Sequence, residues 1–231
     1  MQGYGLLSGF TQGIRSSWEF LKQFESAMLQ TQAITQSTTT EMELLKKSII
    51  EVSNGTKFSS VEIAQAATIL AQAGLSIRSI GTALESVTLL ATATGSTLAQ
   101  TTDIATSTMG AFHITAGQLP VVVNQITQAM NMSKLDVGKF QQAIQYAGNS
   151  SADAGMQFNE TLALMATISN TGVKSGSTIG TGLRQLEADL RAPNEKLLAI
   201  LKRLGLTVAD ISLESNGMMG VLKNLKDAGF S

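Results

Sequence analysis

The sequence predicts an all-α chain, and three observations carry that reading. Apolar residues recur every three or four positions along nearly the whole length, strand-type alternation is almost absent, and cap and stop residues fall between the apolar stripes. The expected architecture is an array of short antiparallel helices and helical hairpins with a longer N-terminal helix, plus a small extended piece near 206–213.

Taken in order, the first helix is expected over 14–34. The segment from Thr31 to Thr40 is dominated by Thr and Gln and reads as a hinge, so that 1–40 holds the N-terminal helix with its hinge and 41–231 a compact helical domain. Met42, Leu45, Ile49 and Val52 stripe a helix over 41–52. Ser59 with Glu62 has capping-box spacing, in which a hydroxyl and a carboxylate satisfy the free amides of a helix start, and opens 61–73. Ile77, Ile80, Leu84, Val87 and Ala91 define 77–93. The same cap spacing in Thr97 with Gln100, and in Thr115 with Gln118, opens 98–112 and 118–130, the latter striped by Leu119, Val122, Ile126 and Met130. Val137, Phe140, Ile144 and Ala147 define 134–146, a further helix covers 160–171, and Ile179, Leu183, Leu186 and Leu190 define 176–190.

Pro193, tolerated in a first helical turn, opens 193–204, and a last helix covers 218–228. Gly55, Gly74, Gly95, Gly148 and Gly205 each follow a periodic segment, where a left-handed residue commonly closes a helix. Short linkers imply helical hairpins. Cap signals at Thr97, Thr115 and Ser133 stand eighteen residues apart and hint at a repeated helical unit without a shared residue pattern.

Composition narrows the function classes. Of 231 residues 43% are apolar and only 14% charged, against about 25% in an ordinary soluble domain, so much of the surface is neutral and small. Sixteen Lys and Arg face seventeen Asp and Glu, which leaves no positive excess for phosphate binding, and no sequence-specific nucleic-acid contact is expected. The absence of Cys excludes disulfides and thiolate ligands. Residues 1–10 lack the basic, apolar and small-residue order of a secretory signal. Two stretches, 86–102 and 104–133, carry no Asp, Glu, Lys or Arg, but Thr, Ser, Gln, Asn, Gly and His113 interrupt them too often for a membrane span.

Few residues invite chemistry. His113, the one histidine, has no second His or Cys to complete a metal site and reads as a polar helix-end residue. Nothing presents a serine on a nucleophile elbow. Gly176, Gly180 and Gly182 suggest a phosphate loop, but they follow a helix, and Gln185 stands where the third glycine belongs. Gly172, Gly176 and Gly180, spaced by four, instead read as a glycine-rich turn followed by close packing. Met130, Met132, Met156, Met165, Met218 and Met219 read as core filling. Arg184, Arg191, Lys196, Lys202 and Arg203, diluted by Glu187, Asp189 and Glu195, read as a solvated face, and Glu41 and Glu43 are too close in sequence to face each other on a helix. No catalytic, cofactor-binding or metal residue is assigned, no cofactor is expected, and the chain is read as no enzyme.

Several segments, taken together and in order, resemble the conserved region of phage tail tape measure proteins. They are Gly55-Thr56-Lys57-Phe58-Ser59, then Gln72-Ala73-Gly74-Leu75-Ser76, then Leu89-Leu90-Ala91-Thr92-Ala93-Thr94-Gly95 with Leu98-Ala99-Gln100, then Met109-Gly110-Ala111-Phe112. Gly180-Thr181-Gly182-Leu183-Arg184 follows, leading through Leu190-Arg191-Ala192-Pro193 to Leu204-Gly205-Leu206. The resemblance implies a structural component of the virion, made in the host cytoplasm and housed in the tail lumen. Its work there would be in tail assembly, tail-length determination and genome ejection. Its implied partners are tail tube and tail tip proteins, tail assembly chaperones, and the host membrane or an inner-membrane protein during ejection, with self-association through exposed apolar stripes. An alternative expectation is a membrane-interacting helical domain forming part of a DNA passage, since Leu119, Val122, Val123, Ile126 and Met130 can line an interfacial stripe.

Overall fold

The computed structural model describes residues 3–230, with side chains described from residue 17 onward; the side chains behind the signal-peptide reading of 1–10 lie outside the described residues. Among the described residues there are eleven α-helices, two 3-10 turns and no strand. The all-α expectation holds. The chain divides into two compact units, 1–103 and 104–231, and the boundary falls within a helix, α5 (Leu98–Phe112).

The first unit holds α1 (Gly3–Thr35), α2 (Thr39–Gly55), α3 (Ser60–Gln72), α4 (Ile77–Thr94) and the start of α5. The segment read as a hinge contains the last turn of α1, a left-handed Gln36 (φ 52°) and a capping box at α2 formed by Thr38 and Glu41. The box at Ser59 and Glu62 opens α3 as expected, and Thr97 with Gln100 does the same for α5. Neighbours in sequence are not the main partners here. α1 packs chiefly on α3, and α2 on α4, over a core that includes Leu45, Ile49, Ile63, Leu70, Ile80 and Leu84. Small hydroxyls occupy the helix contacts: Thr31 and Thr68 lie 3.0 Å apart between α1 and α3, and the Thr101 hydroxyl sits 3.1 Å from the Val87 carbonyl. Each hydroxyl meets a partner, so burying it carries little desolvation penalty.

The second unit holds the rest of α5, then α6 (Leu119–Met132), α7 (Val137–Asp153), α8 (Phe158–Asn170), α9 (Gly176–Arg191), α10 (Glu195–Leu204) and α11 (Leu213–Asp227). It repeats the next-but-one pattern: α6 packs on α8, and α7 on α9. Phe112, Phe140 and Phe158 meet edge to face with ring centroids 5.5 and 6.4 Å apart. A second apolar cluster, including Met156, Leu190, Leu201, Ile211, Met218 and Val221, ties α10 and α11 to the ends of α7 and α9.

Four local expectations are corrected. Gly148 does not end a helix; α7 runs through it to Asp153, and the glycine makes room for Ala111, whose Cβ would stand 3.1 Å from a Cβ added there. Gly55 is the last residue of α2, and an extended Thr56 (φ −135°) stops the helix instead of a left-handed glycine. Pro193 precedes α10, which Asn194 caps by accepting the Leu197 amide at 2.9 Å. The extended piece at 206–213 is a 3-10 turn, Ala209–Ile211, because Asp210 accepts the Thr207 amide and hydroxyl at 2.7 and 2.6 Å and turns the chain so that Ile211 and Leu213 enter the core. Gly74, Gly95 and Gly205 are left-handed helix closers, as read.

Candidate functional site

Among the described residues, the glycines with least room for a side chain lie at the contact between α7 and α9. Cβ atoms added at Gly176 and Gly180 would collide with the backbone of Lys139 and, at 2.7 Å, with the Ala143 carbonyl and the Tyr146 side chain. Further along, Ser150 and Ser151 bond Glu187, and Arg191 bonds the carbonyl of Asp153. Partner numbers rise together on both helices, so α7 and α9 run parallel and α8 carries the chain back between them. Glycine at 176 and 180 brings the two backbones closer than any side chain would allow, which is the close-packing reading of that spacing.

Glu187 corrects the sequence reading most sharply. It was expected on a solvated face, yet it is 2% exposed, while Leu186, expected on the buried stripe, is 38% exposed. The signal was present: Glu187 stands four residues after Leu183 and three before Leu190, both buried, so it continues their face. Burial pushes its carboxyl above the ordinary range, against the opposing effect of the Ser151 and Ser150 hydroxyls and the nearby Arg191 charge.

The other residues singled out do not converge. His113 is exposed, left-handed (φ 53°), and directly follows α5. Met156, Met165 and Met218 fill the core, Met130 is half-buried, and Met132 and Met219 are 74% and 64% exposed, so the core-filling reading holds for half of the six. Arg184, Arg191, Lys196, Lys202 and Arg203 are exposed. Glu41 works alone at its helix start, its carboxylate accepting the Thr38 amide at 2.8 Å; that bond, with the Thr38 hydroxyl, lowers its pKa. Among the described residues no group of three or more His, Cys, Asp or Glu is placed to hold a metal ion, and no helix is long and apolar enough to cross a membrane. The interfacial stripe is already used inside the unit: Leu119, Val122, Val123 and Ile126 are all buried.

Among the described residues no reactive groups converge, and similarity to known proteins places the helical array. Residues 46–229 match the family model described as "Phage-related minor tail protein". Among curated proteins, a tape measure protein of Pneumococcus phage Dp-1 is 27% identical over 197 residues, which cover 85% of this chain and 17% of that protein. A probable tape measure protein of Escherichia phage P2 is 25% identical over 186 residues, 80% of this chain and 23% of that protein. The chain thus spans about a fifth of the length of these relatives. No solved structure matches. The family model covers most of the chain, and the chain belongs to the phage-related minor tail proteins.

Proposed function

We propose that this region is a folded structural segment of a tape measure protein, acting through protein contacts in tail assembly, tail-length determination and genome ejection, and carrying out no catalysis. The observation that supports it most is the family match over 46–229, which takes in the end of α2 and every helix from α3 to α11. Its partners are tail tube and tail tip proteins, tail assembly chaperones during construction of the tail, and further copies of itself. Trp18 and Leu29 on α1, 58% and 66% exposed, are apolar contacts open to such partners.

The region is made in the host cytoplasm and resides in the tail lumen. A single helix with side chains is about 10–12 Å across. Helices packed side by side within each unit are wider, so passage along a narrow tube requires the units to open. Contact with the host membrane or an inner-membrane protein during ejection has the same requirement, because the stripe at Leu119, Val122, Val123 and Ile126 is buried until the second unit opens.

Cross-linking intact particles and mapping the peptides joined to this region tests the proposal. Links to tube or tip proteins are expected. Links confined to soluble host factors would overturn a place in the tail. Liposome binding by the intact chain in the absence of denaturant would overturn the requirement for opening.

A further inference from the structure

The second unit buries one carboxyl group against hydroxyls rather than against a cation. Glu187 is 2% exposed on α9; Ser150 Oγ lies 2.7 Å from its Oε2, and the Ser151 hydroxyl bonds its Oε1. Arg191, one turn on, is exposed and directs its guanidinium to the Asp153 carbonyl. Ser150 Oγ has a second acceptor within reach, the Ala147 carbonyl at 3.1 Å.

We propose that Glu187 is a proton-dependent clasp on the α7–α9 pair, closing it when the carboxyl is protonated and loosening it when the carboxyl is charged. In the closed form the carboxyl O–H donates to Ser150 Oγ, Ser150 turns its own hydrogen to the Ala147 carbonyl, and Ser151 donates to Glu187 Oε1. Every polar group is then paired and no charge is buried. In the charged form Ser150 leaves Ala147 and donates to Oε2. The carboxylate then has two hydroxyl donors for about four lone-pair sites, in a seam closed by Ile179, Leu183 and Leu190. Burying a charge so thinly solvated costs free energy that separating the helices recovers.

Among the described residues no cation stands within ion-pair distance of Glu187. α9 itself carries Arg184, Asp189 and Arg191, and of these Arg191 pulls on Glu187 through space. α7 carries Asp153 and, at the glycine end, Lys139, which bonds the Lys134 carbonyl at 2.6 Å and pairs with Asp136 at 3.3 Å; Tyr146 lies beside Gly180. The one charged residue of α8, Glu160, accepts the Gln157 amide at 3.1 Å. Glu214 of α11 shares a depression with Asp153 and Arg191, and the charged residues of α10, Glu195, Lys196, Lys202 and Arg203, are exposed.

Because burial raises this carboxyl above the ordinary value of 4.5, its closing contribution is complete below that value and is lost as pH rises through the raised one. The test is urea unfolding of the 231-residue chain at pH 4, 6 and 8, with Glu187→Gln and Ser150→Ala alongside. The wild-type midpoint is expected to fall with pH more steeply than that of Glu187→Gln, which keeps a donor and an acceptor but cannot charge. Ser150→Ala is expected to steepen the fall, since the carboxylate loses a donor. Superimposed pH profiles for wild type and Glu187→Gln overturn the proposal. Should Glu187→Gln not fold, amide exchange of the wild type, corrected for intrinsic rates, decides. Loss of protection in α7 and α9 between pH 5 and 8, with α3 and α4 unchanged, supports the clasp, and equal change in all four overturns it.

Discussion

Both units set a helix beside its next-but-one neighbour, but different chemistry holds the two pairs. In the first unit α1 and α3 meet through threonines thirty-seven residues apart, Thr31 and Thr68, both buried. In the second, α7 and α9 meet through Gly176 and Gly180, and a carboxyl thirty-six and thirty-seven residues from its serines, Ser151 and Ser150. A similar reach along the chain follows from a similar plan, one helix out, one back and one beside the first. The polar contact is what varies. A hydroxyl pair carries no charge at any ordinary pH and fixes the contact permanently, whereas a buried carboxyl makes the contact conditional on a proton.

The largest effect is expected from the aromatic core of the second unit. Phe140 is fully buried and meets Phe158 edge to face, so Phe140→Ala should cost about 3–5 kcal/mol in chemical denaturation. A loss under 1 kcal/mol would mean that the ring is not part of what holds α7 on α8. Glycine substitutions contrast the units more directly. At Gly176 an added methyl meets the Lys139 backbone, which cannot move aside without parting the helices, and Gly176→Ala should destabilise by about 1–3 kcal/mol. At Gly81, on α4, the same methyl would stand 3.5 Å from Ser48 Oγ, an ordinary contact, and the helix gains from losing glycine. Gly81→Ala should therefore stabilise by about 0.5–1 kcal/mol. Equal signs for the two would show that glycine is no more needed between α7 and α9 than between α2 and α4.

The threonine pair should show a smaller effect with a distinct pattern. Thr68 can donate to Ala64 at 3.1 Å or Ala27 at 3.3 Å while accepting from Thr31. Removing either hydroxyl alone leaves a buried partner underused, so Thr31→Val and Thr68→Val should each cost about 1–2 kcal/mol. The double variant should cost less than their sum, because two apolar groups of similar shape leave nothing unpaired. Additive losses in a double-mutant cycle would remove the hydroxyl contact from the account of α1 and α3.

What the sequence made legible was local. Capping boxes at Ser59 and Thr97 and the closing glycines at 74, 95 and 205 depend on residues a few positions apart, and they were read correctly. What escaped depends on partners far along the chain. Gly148 looks like a helix stop until Ala111 is known to need its space, and the spacing of Gly176 and Gly180 points to close packing without naming α7 as the partner. Glu187 escapes for a different reason: a carboxylate type points to solvent, while its spacing from Leu183 and Leu190 places it on their buried face. The division within α5 left no mark in composition, since charge-free sequence lies on both sides of Asp103.

The smallest effect separates two carboxyls by the direction in which pH moves them. Glu41 at the start of α2 is held below the ordinary carboxyl value, first by the Thr38 amide and then by its hydroxyl. A lowered value in the folded state means a contribution that is present above 4.5 and lost as pH falls through the lowered value, the reverse of Glu187. Acidifying from pH 7 to 3 should therefore fray the first turn of α2 while protection in α7 and α9 holds or grows. Asp210, lowered by the Thr207 hydroxyl and amide, should release its turn at the same acid end. Peptide-resolved amide exchange corrected for intrinsic rates reads both ends of the comparison in one titration. If the α2 start and the α7–α9 pair loosen together on acidification, Glu187 does not hold its pair through a buried proton, and the carboxyl side of the contrast with the hydroxyl contact fails.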